Sequence, residues 1–202
     1  MTFLFDIGKV LLDFDFETSL RKLIPGETAD DEVLNRLTRL LDRKDEFEGG
    51  HVTPDDYIPW ALGVLEVEMD HHTFIHAWQN IFTPNEPMWR VVETLRKDGH
   101  RLILFSNTNA IHCPWIFETY DIFRHFEGGV LSFEVGAIKP EDKIYHHAID
   151  THGLIPADTL YIDDLPANIE AGKRLGFRTH QYELSDHEAF ETWLASELDR
   201  GL

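Results

Sequence analysis

The sequence has little cysteine, few basic residues and no long apolar run. The single cysteine, Cys113, excludes an internal disulfide and a zinc site built from several thiolates, and it fits a reducing compartment. Only 18 Lys and Arg residues stand against 37 Asp and Glu, a formal net charge of −19, so the chain should repel nucleic acid and anionic membranes. No leader pattern precedes the first strand pattern, and no apolar run approaches bilayer length. We therefore expect a soluble cytoplasmic protein, monomeric or homodimeric, that binds neither nucleic acid nor membrane.

The composition indicates a globular chain with ample core material. Apolar residues make up 43% of the 202 residues, with 14 Phe and 5 Trp, which is enough for one domain or for a core domain carrying an insertion. The acidic surface also works against an anionic substrate. Any phosphate site would need a metal ion or local lysines to reverse the field.

Strand and helix patterns alternate along most of the chain. Apolar strand patterns at 2–5, 101–106, 129–133, 159–162 and 178–182 are separated by amphipathic helix patterns, which predicts parallel βαβ units in an α/β doubly wound sheet. Residues 14–85 have helical patterns only. We therefore predict a Rossmann-like core from residues 1–13 and 86–202, with residues 14–85 inserted as a helical cap over the end of the first strand.

Polar residues follow the predicted strands where ligands bind in open parallel sheets. These are Asp6, Ser106, the pair Asp163-Asp164, and Lys139 at the start of a loop. Each alone is common as a helix cap or a solvated side chain, but together at one rim they fit phosphoryl transfer. A carboxylate can form an aspartyl-phosphate, a hydroxyl and a lysine can hold phosphoryl oxygens, and further carboxylates can bind Mg²⁺.

Four ordered segments resemble the motifs of the haloacid dehalogenase (HAD) superfamily of hydrolases, in the form with a helical C1-type cap. They are Phe5–Val10, Phe105–Thr108, Lys139-Pro140 and Ile162–Asn168, and the resemblance covers essentially the whole chain. It implies a phosphatase with a Rossmann-like core and a Mg²⁺ cofactor.

The resemblance also implies the role of each site residue. Asp6 would be the nucleophile, Ser106 would hold the phosphoryl group with help from the Asn107 backbone, and Lys139 would neutralise its charge. The metal ligands would be Asp6, the carbonyl of Gly8 and Asp164, with Asp163 as a second or water-mediated ligand.

One position departs from the usual motif of these phosphatases. They carry a second aspartate, acting as general acid and base, where this chain has Gly8, and loss of such a group costs about a hundredfold to ten-thousandfold in rate. The opening of the chain, with Gly8, Val10, Asp13 and Asp15, most resembles the glucose 1-phosphate phosphatase branch, which also lacks that aspartate. Phosphate esters whose leaving groups are stable as anions could be hydrolysed without this second aspartate. Asp13 or Asp15 could substitute for it, or both could be ordinary turn residues.

The expected function is a magnesium-dependent phosphatase of small phosphorylated metabolites, with sugar phosphates such as glucose 1-phosphate as the expected class. The alternatives are a 2-haloacid dehalogenase-type hydrolase, which also lacks the second aspartate, and a weakly catalytic regulatory or binding protein. Asn107 and Asn109 are the predicted substrate-binding residues. Further candidates facing the closed site are His112, Trp115, Arg43, Lys44, Glu48 and His51.

Overall fold

A five-stranded parallel sheet forms the centre of the computed structural model, which describes residues 1–26 and 28–200. The strands run in the order β5-β4-β1-β6-β7. Their bounds are β1 Thr2–Phe5, β4 Arg101–Ser106, β5 Gly128–Leu131, β6 Thr159–Asp163 and β7 Arg178–Gln181. The predicted doubly wound parallel sheet is confirmed.

Strand β1 lies in the middle of this sheet because it is apolar on both faces. Phe3, Leu4 and Phe5 are fully buried, as expected for a strand covered by helices on both sides. Phe5 pairs with Leu104 of β4 and with Ile162 of β6. This parallel register brings the residues that follow β1, β4 and β6 to one edge of the sheet.

Helices cover both faces of the sheet. They are α6 Glu86–Lys97, α7 His112–Thr119, the short α8 Ser132–Val135, α9 Asp142–His152, α10 Pro166–Arg174 and α11 His187–Asp199. Two separate clusters of buried side chains result, one on each face.

In the described residues between β1 and α6, five helices form the cap. They are α1 Phe16–Arg21, α2 Asp30–Arg39, α3 Lys44–Glu48, α4 Pro54–Leu65 and α5 His71–Gln79, with a 3₁₀ turn at Leu40–Arg43. Their apolar faces form a third cluster, which also includes Ile111 from the core. The division at residues 13 and 86 stays a prediction, and residues 27, 201 and 202 of its ranges lie outside the described part.

The segments that connect cap and core differ from the prediction, because they are strands. Strand β2 (Leu12–Phe14) pairs antiparallel with β3 (Phe82–Pro84). Three-residue strands that contain Asp13 and Pro84 have a weak strand signal in sequence, and their pairing depends on residues about 70 positions apart. Over residues 1–26 and 28–200, every helix is too short or too polar to cross a membrane.

Candidate active site

The carboxyl ends of β1, β4 and β6 bring the predicted catalytic side chains together. Asp6 directly follows β1, Ser106 ends β4 and Asp163 ends β6, and all three are at most 7% exposed. The backbone N–H of Asp6 donates to the carbonyl of Ile162 at 3.0 Å, so the sheet pairing itself sets the distance between β1 and β6 at this edge.

Lys139 is buried among these groups and pairs with two of the carboxylates. Its Nζ lies 2.5 Å from Oδ2 of Asp163 and 3.1 Å from Oδ1 of Asp6, and it donates to the carbonyl of Phe105 at 2.8 Å. Burial alone would lower the pKa of Lys139, but Asp163 and Asp6 outweigh burial and raise it. Lys139 is therefore a fixed positive charge beside the predicted nucleophile.

Asp163 is fully occupied by protein donors. Its Oδ2 accepts hydrogen bonds from Lys139 and from the Tyr161 hydroxyl at 2.6 Å, and its Oδ1 accepts from the Leu165 N–H and the Asn168 side chain, both at 2.9 Å. The observed role of this carboxylate is to hold Lys139. Asp163 as a metal ligand stays a prediction, and its bonding favours the water-mediated form.

Asp6 lies where negative charge is concentrated. Burial raises the pKa of Asp6 to about 7, Lys139 and a hydrogen bond from Ser106 oppose the rise, and Asp163 and Asp164 add to it. Burial and the neighbouring Asp163 likewise raise the pKa of Asp164 to about 6. A cation between these carboxylates would relieve their repulsion.

The donor set fits Mg²⁺. One carboxylate oxygen from each of Asp6, Asp163 and Asp164 lies within 4.8 Å of the others. Hard oxygen ligands from one or two carboxylates, completed by water and substrate phosphate, are what Mg²⁺ prefers. Gly8 follows Asp6 by two residues and lines the adjoining cavity, and its carbonyl as a metal ligand stays a prediction.

Asn107, a predicted substrate-binding residue, uses its side chain to hold Lys139. The side-chain amide donates to the Lys139 carbonyl at 2.9 Å, and its oxygen accepts from the Lys139 N–H at 2.8 Å. The side chain is thus occupied, and substrate binding by the Asn107 backbone stays a prediction.

Asn109, the other predicted substrate-binding residue, is buried and arranges the start of α7. Its side-chain oxygen accepts from the N–H groups of Ile111 and His112, both at 3.0 Å, and its nitrogen lies 3.1 Å from Nδ1 of His112. The other ring nitrogen of His112 lies 3.0 Å from the carbonyl of Trp78 in the cap. Burial lowers the pKa of His112 to about 4, so this ring is neutral and bridges core and cap.

A cavity of about 120 Å³ lies between these rim residues and the cap. Its walls are mainly apolar, with Phe14, Phe47, Trp78 and Phe82 among the lining side chains. Its polar lining residues are Lys44, Glu48, Ser106, Asn107, Thr108, Asn109 and His112. Three of the further candidates, Lys44, Glu48 and His112, therefore face this space together with the predicted substrate-binding residue Asn109.

The remaining candidates have other environments in the described structure, where His51 is exposed and does not line the cavity. The guanidinium of Arg43 stacks over Trp60 at 5.4 Å, and Trp115 packs edge-on against Tyr120. Asp13 pairs with Lys9, and Asp15 accepts from the Thr18 N–H at 2.9 Å at the start of α1. Asp13 thus lies in strand β2 and Asp15 is the N-cap of α1, so both have structural roles in this structure.

Sequence reasoning missed Tyr161 and Asn168 as members of the site. Both bind Asp163 and are fully or almost fully buried. Tyr161 precedes Asp163 by two residues in a strand, a spacing that puts both side chains on one face, and that pattern could have identified it. Asn168 lies in the first turn of α10, where its approach to Asp163 depends on the tertiary fold.

Comparisons with known proteins agree with this geometry. A D-ribitol-5-phosphate phosphatase of Bacteroides thetaiotaomicron is 29% identical, over 89% of this chain and 90% of that protein. A HAD-family enzyme of the same organism, crystallised with magnesium and inorganic phosphate, matches 91% of this chain and 94% of its own with a TM-score of 0.73 at 22% identity. A HAD-like hydrolase of Porphyromonas gingivalis matches 96% of this chain and 97% of its own with a TM-score of 0.76 at 24% identity.

The family is established by a match over most of the sequence. The two solved structures, at 22% and 24% identity, show that this chain shares their fold. The model of the haloacid dehalogenase-like hydrolases matches residues 1–176, which include every predicted catalytic residue. With its four motifs gathered at one edge of a doubly wound sheet, the chain belongs to the haloacid dehalogenase-like hydrolases.

Proposed function

We propose that this protein is a magnesium-dependent phosphatase of small phosphorylated metabolites, with sugar and polyol phosphates as its substrates. The observation that carries the proposal is the arrangement of Asp6, Lys139 and Asp164 at one edge of the sheet beside Ser106. It supplies a carboxylate nucleophile, a fixed positive charge and an oxygen-rich cation site together, as phosphoryl transfer requires.

The chain's own residues divide the work as follows. An oxygen of Asp6 attacks phosphorus and forms an aspartyl-phosphate as the bond to the leaving oxygen breaks, and water then cleaves that intermediate. Lys139 and the Ser106 hydroxyl stabilise the charge on the phosphoryl oxygens. Mg²⁺ would be held by Asp6, Asp164 and the Gly8 carbonyl, and when bound it supplies neutralisation of the phosphate charge.

The substrate class is supported by the cavity and by a relative. The cavity of about 120 Å³ suits a small leaving group, and the phosphatase from Bacteroides thetaiotaomicron is named for a polyol 5-phosphate. The finer assignment to glucose 1-phosphate depends on the resemblance of the chain's opening to that branch.

Phosphate release from a panel of esters, with and without Mg²⁺, tests the proposal. The panel contains hexose 1-phosphates, hexose 6-phosphates, D-ribitol 5-phosphate and 4-nitrophenyl phosphate. We expect Mg²⁺-dependent turnover that Asp6→Asn abolishes together with covalent phosphorylation of the protein. Full activity of Asp6→Asn would refute the assignment of Asp6 as the nucleophile. No phosphate release from any ester would favour the dehalogenase alternative, which a haloacid assay would then examine.

A further inference from the structure

Position 8 cannot supply the proton that an alkyl leaving group needs. A Cβ atom at Gly8 would lie 3.1 Å from the ring of Phe14, so this ring occupies the space beside the position. Asp13, in strand β2, pairs with Lys9, and Asp15 caps the start of α1. The general acid and base must therefore come from another element.

Glu48 is placed to replace the missing carboxylate. It is the last residue of α3 in the cap and lines the same cavity as Gly8, Ser106 and Asn107. Within the described chain it is the one acidic residue among those lining the cavity, and its side chain is 15% exposed. A carboxyl group here faces the space that the leaving group of a phosphate ester would fill.

The backbone around Glu48 is fixed to the catalytic rim. The Ser132 hydroxyl donates to the Glu48 carbonyl at 2.5 Å and accepts from the N–H of Thr108, two residues after Ser106, at 3.0 Å. Gly50 has a φ of +71° and packs against the carbonyl of Phe133. These contacts hold the cap residue at a set distance from the phosphoryl site.

The charges around Glu48 suit proton transfer. Burial raises its pKa and Asp45 adds to the rise, whereas Lys44, whose Nζ lies 3.4 Å from the Glu48 carboxylate, and the more distant Lys139 oppose it. The Tyr57 hydroxyl from α4 is neutral, because burial and Glu48 both raise its pKa. A bound phosphoryl group would add negative charge nearby and favour the protonated carboxyl further.

We propose that Glu48 is the general acid and base of this enzyme, supplied by the cap in place of a residue at position 8. The inference rests on the proposed phosphatase function. As Asp6 attacks and the bond from phosphorus to the ester oxygen breaks, the Glu48 carboxyl gives its proton to that oxygen, releasing the alcohol. The Glu48 carboxylate then takes a proton from water as the water oxygen attacks phosphorus, which frees Asp6 and phosphate.

A comparison of leaving groups in Glu48→Gln tests this role. Glutamine keeps the size of the side chain and an acceptor for Lys44, but it cannot transfer the proton. For the alkyl phosphate that the wild-type enzyme hydrolyses fastest, we expect kcat to fall about a hundredfold to ten-thousandfold. For 4-nitrophenyl phosphate, whose leaving group is stable as an anion, the transfer step from substrate to Asp6 should lose less than about tenfold in a single-turnover experiment.

The matched control is Glu46→Gln on the same helix. Glu46 is exposed, pairs with Arg43 at 2.9 Å and does not line the cavity, so both esters should be hydrolysed as by the wild type. Equal losses on both esters in Glu48→Gln would overturn the proposal and leave Glu48 a structural role. A wild-type enzyme that hydrolyses only the aryl ester would overturn it as well, whereas a wild-type enzyme inactive on every ester would refute the phosphatase function itself.

Discussion

At the scale of single residues, the site depends on one buried lysine that two carboxylates share. Lys139 has no exposed side-chain surface, and neither does Asp163, which pairs with it. Such a pair stabilises the fold weakly compared with apolar packing, but removal of one partner leaves a buried charge without compensation. The pair is therefore explained better by the chemistry beside Asp6 than by stability.

Substitution of Lys139 should affect both activity and stability. In Lys139→Ala the Asp163 and Asp6 carboxylates lose their cation, so we expect phosphate release to be nearly abolished. We also expect the free energy of unfolding to fall by about 3–5 kcal/mol. Phosphate release and urea unfolding, monitored by tryptophan fluorescence, measure the two effects.

Lys143→Ala is the control for this prediction. Lys143 lies on the surface of α9 and donates to the carbonyl of Gly136 at 2.8 Å, so its loss should change stability by less than about 1 kcal/mol. A Lys139→Ala protein that retains a tenth or more of the wild-type turnover would place Lys139 outside the catalytic site.

At the scale of elements, sequence patterns located the regular strands and helices well. The predicted strand 101–106 is β4 as observed. The pattern from Pro166 to Leu175, followed by Gly176, predicts a helix, and the structure has α10 there. The pattern Ser185-Asp186-His187-Glu188 predicts a capping box at the start of the last helix, with Ser185 as the N-cap. In the structure Asp186, not Ser185, accepts from the N–H of Ala189 at the start of α11. Caps of this kind depend on the local backbone conformation, which Ser and Asp both favour.

Elements without a long periodic pattern were not predictable in this way. Helix α7 was missed, and its start is arranged by Asn109 and His112, whose partner Trp78 is 34 residues away in the cap. In the same way, the four motifs identified the residues at the strand ends. They did not predict the hydrogen bond from the Ser132 hydroxyl to the Glu48 carbonyl, which joins residues 84 positions apart. Such contacts are set by the tertiary fold and leave no spacing signal in the sequence.

The loop after α3 offers a test of how the cap is joined to the core. Gly50 has a positive φ, and a Cβ atom there would overlap the carbonyl oxygen of Phe133. Gly50→Ala should therefore push the end of α3 away from the rim, lower kcat and cost about 1–2 kcal/mol of stability from the backbone strain alone. Turnover and thermal unfolding of the variant check both effects.

The control is Gly63→Ala within α4, where no atom lies within 4 Å of an added Cβ. Alanine should stabilise this helix by up to about 1 kcal/mol and leave turnover unchanged. If Gly50→Ala behaved like Gly63→Ala, the close contact between cap and core would have no role in catalysis.

At the scale of the whole molecule, the net charge of −19 means that a phosphate ester must approach against a negative field, which a bound cation would weaken. The acidic surface repels a phosphate ester, and within the site the buried Lys139 pairs with two of three carboxylates that lie close together. A bound divalent cation would reverse the local field for the substrate and also relieve repulsion in the native state. The metal should therefore stabilise the folded protein even when no substrate is present.

Thermal unfolding with and without Mg²⁺ tests this link between the metal and the fold. A ligand that binds only the native state at a hundred times its Kd adds about 2.7 kcal/mol, which for a chain of this length raises the Tm by about 5–10 °C. Asp164→Asn should lose most of that rise, whereas Asp31→Asn on the exposed surface of α2 should keep it. Because the measurement involves no substrate, an unchanged Tm in the wild-type protein at saturating Mg²⁺ would count against the metal site even if some ester were hydrolysed. Conversely, a rise that survives in Asp164→Asn would show that Mg²⁺ binds elsewhere on this acidic surface.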